Sequence, residues 1–239
     1  MKQLPIEIYS VESVRAIDRA AIDGAGIKGY TLMTRAGTAA LQEIQAVYPD
    51  ARHWAILCGG GNNGGDGYVL ARLAAANGID VQLIALVDPR ELRGDAQTAY
   101  ADCRNSGLGA TPWTGSLDSS IDLVVDAILG SGLQRPVAGV FADAIAAINQ
   151  QAAPVVALDM PAGLDGDSGK PLGAALRADL TVTFVALKSG LFLGAGRGLV
   201  GELRFADLSI PVGLSAGIEP VLRRIGPAEL QRALPRRDR

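Results

Sequence analysis

Five side chains of types that move protons or offer oxygen fall just beyond short apolar runs: Asn62, Asn63, Asp126, Asp159 and Lys188. A carboxylate can take a proton from a reacting group or return one, and a nearby ammonium keeps it charged. The paired carboxamides offer neutral oxygens and N–H donors, suited to hydroxyls, amides or a weakly bound cation. A lone aspartate at a strand end is ordinarily a helix cap or a surface group. Several such ends in one parallel sheet are different, because ligands bind beyond the carboxyl ends of its strands. Asp126, Asp159, Lys188 and the two asparagines are then expected to line one crevice.

The asparagines lie in Gly59-Gly-Gly-Asn-Asn-Gly-Gly-Asp-Gly67, between an apolar run of strand length and a strong helix former that begins at Tyr68. Six glycines in nine residues exceed what a turn needs. Such a loop can aim backbone N–H groups at an anion and lets a ligand approach closely. Gly59, Gly61 and Gly64 also fit the dinucleotide spacing G-x-G-x-x-G, which is weak on its own. Asp66 suits the helix macrodipole but would repel a pyrophosphate placed against it. The stretch is expected to bind a ligand in a way unlike that of an ordinary nicotinamide dehydrogenase.

These positions require a scaffold of parallel strands, and the sequence supplies one. Apolar runs over 54–58, 80–87, 121–128, 154–159, 180–185 and 201–205 read as strands. Helices are expected over 68–77, 95–106 and 140–150, and their alternation with strands implies a parallel sheet covered on both faces. Two helices precede the first of these strands. One runs from Ser10 to about residue 25 with Val14, Ile17, Ala21 and Ile22 on one face, and the other covers 32–47. A helical preamble of this kind could cover a sheet face or form a subunit contact.

The chain has 239 residues, 49% apolar and 20% charged, enough for one large domain. A net charge of −3 gives no general affinity for nucleic acid or anionic membranes. No run of 18 apolar residues and no signal-peptide pattern is present, and Cys58 and Cys103 read as buried thiols, so a cytoplasmic protein is expected. The single histidine, His53, argues against a Ser-His-Asp triad or a histidine-rich metal site.

Taken together, these stretches resemble one family: the N-terminal domain of the YjeF type, the NAD(P)H-hydrate epimerases. The resemblance runs through Tyr9-Ser-Val-Glu, Leu32-Met-Thr-Arg-Ala-Gly37, Gly59 to Gly67, Val125-Asp-Ala-Ile-Leu-Gly-Ser-Gly132, Leu158-Asp-Met-Pro-Ala-Gly-Leu-Asp165 and Thr181-Val-Thr-Phe-Val-Ala-Leu-Lys-Ser-Gly190. It implies an α/β chain, a Rossmann-like three-layer α/β/α sandwich with a mostly parallel sheet and an N-terminal helical extension, often dimeric. It implies one such domain over 1–225, a basic tail or linker over 226–239, and an isomerase that interconverts the R and S forms of hydrated NADH and NADPH (NADHX and NADPHX) in nicotinamide nucleotide repair.

Residue by residue, the resemblance puts this substrate on Asn62, Asn63, Gly64, Gly65 and Asp66, on Gly130, Ser131, Gly132, Leu133, Gln134, Arg135 and Pro136, and on Asp159. It puts a potassium ion on Asn63, Asp126 and the position of Ala162. That position is commonly serine in the family; here Pro161-Ala162-Gly163 lacks the hydroxyl, so a weakened ion site is expected. The family domain is often fused to an ADP- or ATP-dependent dehydratase domain, making a fused or separate dehydratase an expected partner.

The hydrated carbon bears a hydroxyl and the ring nitrogen, so its configuration is lost when either bond opens and reforms. That requires an acid and a base. Asp159 is the candidate for this role, the alternative being a cap on the following turn. Lys188 tunes that carboxylate, contacts a phosphate or is simply exposed; Arg135 reaches the cofactor's phosphates or is simply solvated. Two other readings stand beside the epimerase. One is a nicotinamide-dependent oxidoreductase with Asp88 as its ribose-binding acid; the other is a non-catalytic nucleotide-binding or scaffold domain.

Overall fold

Strands buried on both faces carry continuous apolar runs, and side chains along them alternate between the two faces. In β2 (His53–Cys58), Trp54, Ile56 and Cys58 join one core and Ala55 and Leu57 the other. The computed structural model describes residues 4–226 and residue 230. The expected tail over 226–239 therefore lies, apart from Gly226 and Leu230, outside the described residues.

The chain enters through β1 (Glu7–Tyr9), α1 (Val11–Arg19) and α2 (Gly29–Val47), then passes through β2, α3 (Asn62–Ala76), β3 (Asp80–Ala85), α4 (Gly94–Asn105) and β4 (Thr111–Pro112). It continues through β5 (Leu123–Ala127), α5 (Val140–Ile148), β6 (Val155–Leu158), β7 (Leu180–Phe184), β8 (Leu187–Lys188), α6 (Gly196–Leu199), β9 (Glu202–Ala206) and β10 (Leu222–Arg223). The main sheet has the order β4-β3-β2-β5-β6-β7-β9, and every pairing in it is parallel. Helices α2, α3 and α4 cover one face and α5 the other, which gives three layers. Among the described residues, no helix is long and apolar enough to cross a membrane.

The strand order places the functional end. From β2 the chain first moves outward to β3 and β4, then returns to pair β5 on the other side of β2. The connections after β2 and β5 leave in opposite directions, and a crevice opens where they part.

Both N-terminal helices are built as the sequence indicates, with two differences. The Ser10 hydroxyl caps α1 by accepting from the Ser13 N–H at 3.1 Å. The helix then widens into a π-helical turn at Ala20–Gly24. The extra residue in that turn shifts the helical register, so Ile22 is exposed while Val14, Ile17 and Ala21 are buried. Helix α2 begins at Gly29 rather than beyond Thr31.

A second, small sheet has the order β10-β1-β8. Its strands are too short to carry a period and were not expected from sequence. Its importance is positional: Tyr9 of β1 pairs with Lys188 of β8, so the chain's first strand holds that lysine in place.

Candidate active site

The stretch Gly59 to Gly67 is mostly helix. Only Gly59–Gly61 form a loop, and α3 starts at Asn62, six residues before the expected Tyr68. The later glycines serve close packing. A Cβ on Gly67 would stand 2.4 Å from Ala127 Cβ and 2.7 Å from Cys58 Sγ, and one on Gly64 only 2.1 Å from Gly59 O. Helix α3 thus lies almost directly on β2 and β5. Tertiary contact has overridden the poor helix propensity of Asn, Gly and Asp.

This packing turns Asn63 inward. It is 8% exposed, and neither its Oδ1 nor its Nδ2 finds a hydrogen-bond partner within the chain. A buried carboxamide left unpaired costs stability, so it is a feature that asks for a ligand. Gly130, beyond β5, is the meeting point: a Cβ there would be 3.4 Å from Asn63 Cγ and 3.0 Å from Asp159 Oδ2.

Asp159 ends β6 with a φ of +64°, a conformation that aspartate tolerates better than most residues. Its Oδ2 accepts from the Ser131 N–H at 3.0 Å, and its Oδ1 accepts from Lys188 Nζ. Burial pushes its carboxyl up, but the Lys188 ammonium and the Ser131 donors outweigh burial and hold it below the usual carboxylate range. Lys188 is almost wholly buried, and it also donates to Thr183 Oγ1 at 3.0 Å and to Phe184 O at 2.7 Å. Its ammonium protons are fully used, so of the three roles open to it the carboxylate partner is the one its contacts support.

Asp66 lies one helical turn beyond Asn63 and lines the same crevice. Burial, then the charges of Asp159 and Asp18, push its carboxyl well above the usual range, with Lys188 acting weakly the other way. The shift favours its protonated form, which weakens the anticipated repulsion of an anion.

Asp126 does not face the crevice. It is fully buried beneath it, with Oδ1 accepting from Ile128 N at 3.0 Å and Oδ2 from Ala162 N at 2.8 Å. Burial pushes it up to about 7, against those two donors. The carboxyl therefore braces the end of β5 to the 159–163 loop. Ala162 is buried as well and contributes its N–H to that brace.

The crevice measures about 1020 Å³. Asn62, Asn63, Asp66, Asp159, Lys188 and every residue from Gly130 to Arg135 line it, and Pro136, Gly64 and Gly65 do not. Four charged lining residues escaped the sequence reading: Arg15, Asp18 and Arg19 of α1 and Asp95 of α4. Asp167 Oδ1 accepts from Val11 N at 2.7 Å, which ties the start of α1 to the loop after β6 and lays the helix over the crevice. A signal for Asp18 was present, since it stands at i+4 from the buried Val14, beside the apolar stripe. Asp88 is elsewhere and is occupied by Arg90, whose Nε approaches to 2.9 Å, so the ribose-binding acid of the oxidoreductase reading is absent from the crevice. His53, at the start of β2, lies at the opposite end of the sheet.

Comparison with known proteins agrees with this architecture. A family model described as YjeF-related protein N-terminus matches residues 29–190. The bifunctional NAD(P)H-hydrate repair enzyme Nnr of Escherichia coli is 42% identical over 235 residues, covering 98% of this chain and 45% of that protein. The chain thus spans less than half the length of that relative. The NAD(P)H-hydrate epimerase of Pirellula staleyi is 38% identical over 220 residues, covering 89% of this chain and 96% of that one. Among solved structures, the yeast protein YNL200c superposes with a TM-score of 0.70 at 21% identity, covering 77% of this chain and 83% of that one. That likeness shows the shared fold.

Proposed function

The chain belongs to the YjeF-related protein N-terminus family, and from that membership and the crevice we propose that it is an isomerase, interconverting the R and S epimers of hydrated NADH and NADPH. The observation that carries this reading is the Asp159–Lys188 pair in the wall of a crevice of nucleotide size, meeting the unpaired carboxamide of Asn63 at Gly130. Relatives of this length are named for the epimerase activity.

In this reading the hydrated ring lies between α3 and the loop 130–136. Asn62, Asn63 and the backbone of Ser131 to Gln134 bind its polar groups, while Arg135 meets the phosphates. Asp159 moves the proton at the reacting carbon, and Lys188 keeps its carboxylate charged and aimed. No hydride acceptor or donor is required, because inversion at one carbon leaves the oxidation state unchanged.

A monovalent cation fits the same end of the sheet. Asn63 Oδ1 is unsatisfied, Asp126 is a buried carboxylate that a positive charge would favour, and the Ala162 N–H bond to Asp126 keeps the 159–163 loop beside it. One carboxylate among neutral oxygens suits potassium better than magnesium, which demands tight octahedral geometry. Ala162 gives no side-chain oxygen, so the site is weaker than one with serine. Its contribution is to order the Asn62 and Asp126 segments around the substrate.

A dehydratase acting on hydrated NAD(P)H, fused or separate, is the partner activity, and the cytoplasm the compartment; both cysteines are free and buried. A homodimer rests on the family likeness alone, because the apolar faces of α1 and α2 are used inside the chain.

The test is to incubate the purified chain with one epimer of hydrated NADH and separate the products chromatographically. Formation of the other epimer is expected. Oxidation or reduction of the ring, or binding without conversion, would overturn the assignment.

A further inference from the structure

The crevice holds more acid than one proton transfer requires. Asp18 from α1, Asp66 from α3 and Asp159 from β6 all line it, around the single ammonium of Lys188. That ammonium is bound to Asp159 and leaves the other two carboxyls without a cationic partner. Asp66 makes no side-chain hydrogen bond to any described residue. It sits one turn from the unpaired, nine-tenths-buried Asn63, which marks where a ligand must come.

We propose that Asp66 is the second proton-carrying group of the reaction, acting as the acid opposite Asp159 as the base. This rests on the epimerase reading and commits it to breaking the carbon–oxygen bond. Asp66 gives its proton to the departing hydroxyl. The C–O bond breaks as the ring nitrogen's lone pair forms a C=N bond, releasing water and leaving Asp66 ionised. A second water then attacks the opposite face. Its oxygen bonds to carbon, the C=N electrons return to nitrogen, and Asp159 takes its proton. One water has left, one has entered, and one proton has passed from Asp66 to Asp159. The other epimer runs the same steps backwards, and exchange with solvent in the open crevice resets the pair.

The environments of the two carboxyls suit these roles. Burial and neighbouring like charge favour the protonated form of Asp66, while Lys188 favours the ionised form of Asp159. A weakly basic carboxylate suffices for the second step, because a cationic C=N carbon is attacked readily by water. Asp18 on α1 also acts on Asp66, and Asp95 at the start of α4 lines the same crevice. Arg15, Arg19 and Arg135 are exposed at the mouth, where solvent screens them.

The test follows kcat/KM against pH for the wild type, Asp66→Asn and Asp66→Glu, with ligand binding measured calorimetrically. The wild type should lose activity as pH rises and Asp66 ionises, giving a falling alkaline limb. Asp66→Asn should bind the hydrated cofactor, lose roughly 10²- to 10⁴-fold in kcat and lack the alkaline limb. Asp66→Glu should keep a limb at a displaced pH. Epimer formed by the wild type in H₂¹⁸O should carry the label. A wild type without an alkaline limb, Asp66→Asn with near-normal kcat, or unlabelled product overturns the proposal, and the first and third hold even where the asparagine variant does not fold. A wild type that epimerises nothing sinks the parent reading instead.

Discussion

Lys188 Nζ and Asp159 Oδ1 form an ion pair that is buried on the lysine side and open to the crevice on the aspartate side. The ammonium is anchored from behind by Thr183 Oγ1 and Phe184 O. The pair therefore joins two demands in one contact: it is structural at the nitrogen and chemical at the carboxylate.

Removing one member of such a pair strands the other. Asp159→Asn is expected to abolish epimerisation and to destabilise the chain by about 3 kcal/mol, because Lys188 loses its counter-ion. Adding Lys188→Met should recover most of that stability while activity stays absent. Urea titration of the three proteins checks this. An Asp159→Asn protein with near-normal turnover would remove Asp159 from the reaction.

Asp159 and Asp66 should pull stability in opposite directions with pH. Asp159 is held below the ordinary carboxylate range, so its contribution is present above that range and is lost as pH falls through its folded value. Asp66 is held above the range, so its contribution is present in acid and is lost as pH rises through its folded value. Unfolding free energy measured against pH should thus lose its steep acid limb in Asp159→Asn. In Asp66→Asn it should stop declining toward neutral and alkaline pH.

Much of the scaffold was legible because strands covered on both faces must be apolar throughout; β2, β5, β6 and β7 are read directly from their Val, Ile, Leu and Ala runs. That same uniformity carries no information about neighbours, so the order β3-β2-β5, which opens the crevice, came only from the structure. The start of α3 was hidden for a different reason. Glycine and asparagine oppose a helix locally, and only contact with Cys58 and Ala127 explains why one forms there. Asp159 and Lys188 were legible as strand-end groups. Asp126 was misread as facing the crevice, since its side-chain direction depends on the Ile128 and Ala162 N–H groups that capture it. Asp18 belongs to a helix whose place over the site is set by Asp167, far away in sequence.

Helix α3 can lie so close to the sheet only because Gly67 has no side chain. Gly67→Ala would put a methyl 2.4 Å from Ala127 Cβ and should cost about 1–3 kcal/mol by overpacking. Because α3 carries Asn63 and Asp66, ligand affinity should fall along with stability. Thermal unfolding and ligand titration of the variant test this; an unchanged melting temperature would mean that the packing is looser than these distances indicate.

Asn63 keeps both amide atoms unpaired inside the chain, so its retention should serve binding at the expense of stability. Replacing it with Leu keeps a similar branched shape and removes the unsatisfied polar atoms. Asn63→Leu is expected to stabilise the chain by about 1–3 kcal/mol in potassium-free buffer, while weakening substrate binding severely. If Asn63 Oδ1 and Asp126 hold a potassium ion, the same variant should also abolish the dependence of ligand binding on potassium. Asp126→Ala should do likewise, at a stability cost the leucine variant does not share, because Ile128 and Ala162 lose their acceptor. Ala162→Ser, which adds a hydroxyl beside that brace, should tighten the ion. A potassium titration with no effect on wild-type binding or activity, together with an anomalous map of a thallium-soaked crystal showing nothing between Asn63 and Asp126, would rule the ion out. Asn63→Leu that lowers stability would rule out the separate claim that the carboxamide is held for its ligand alone.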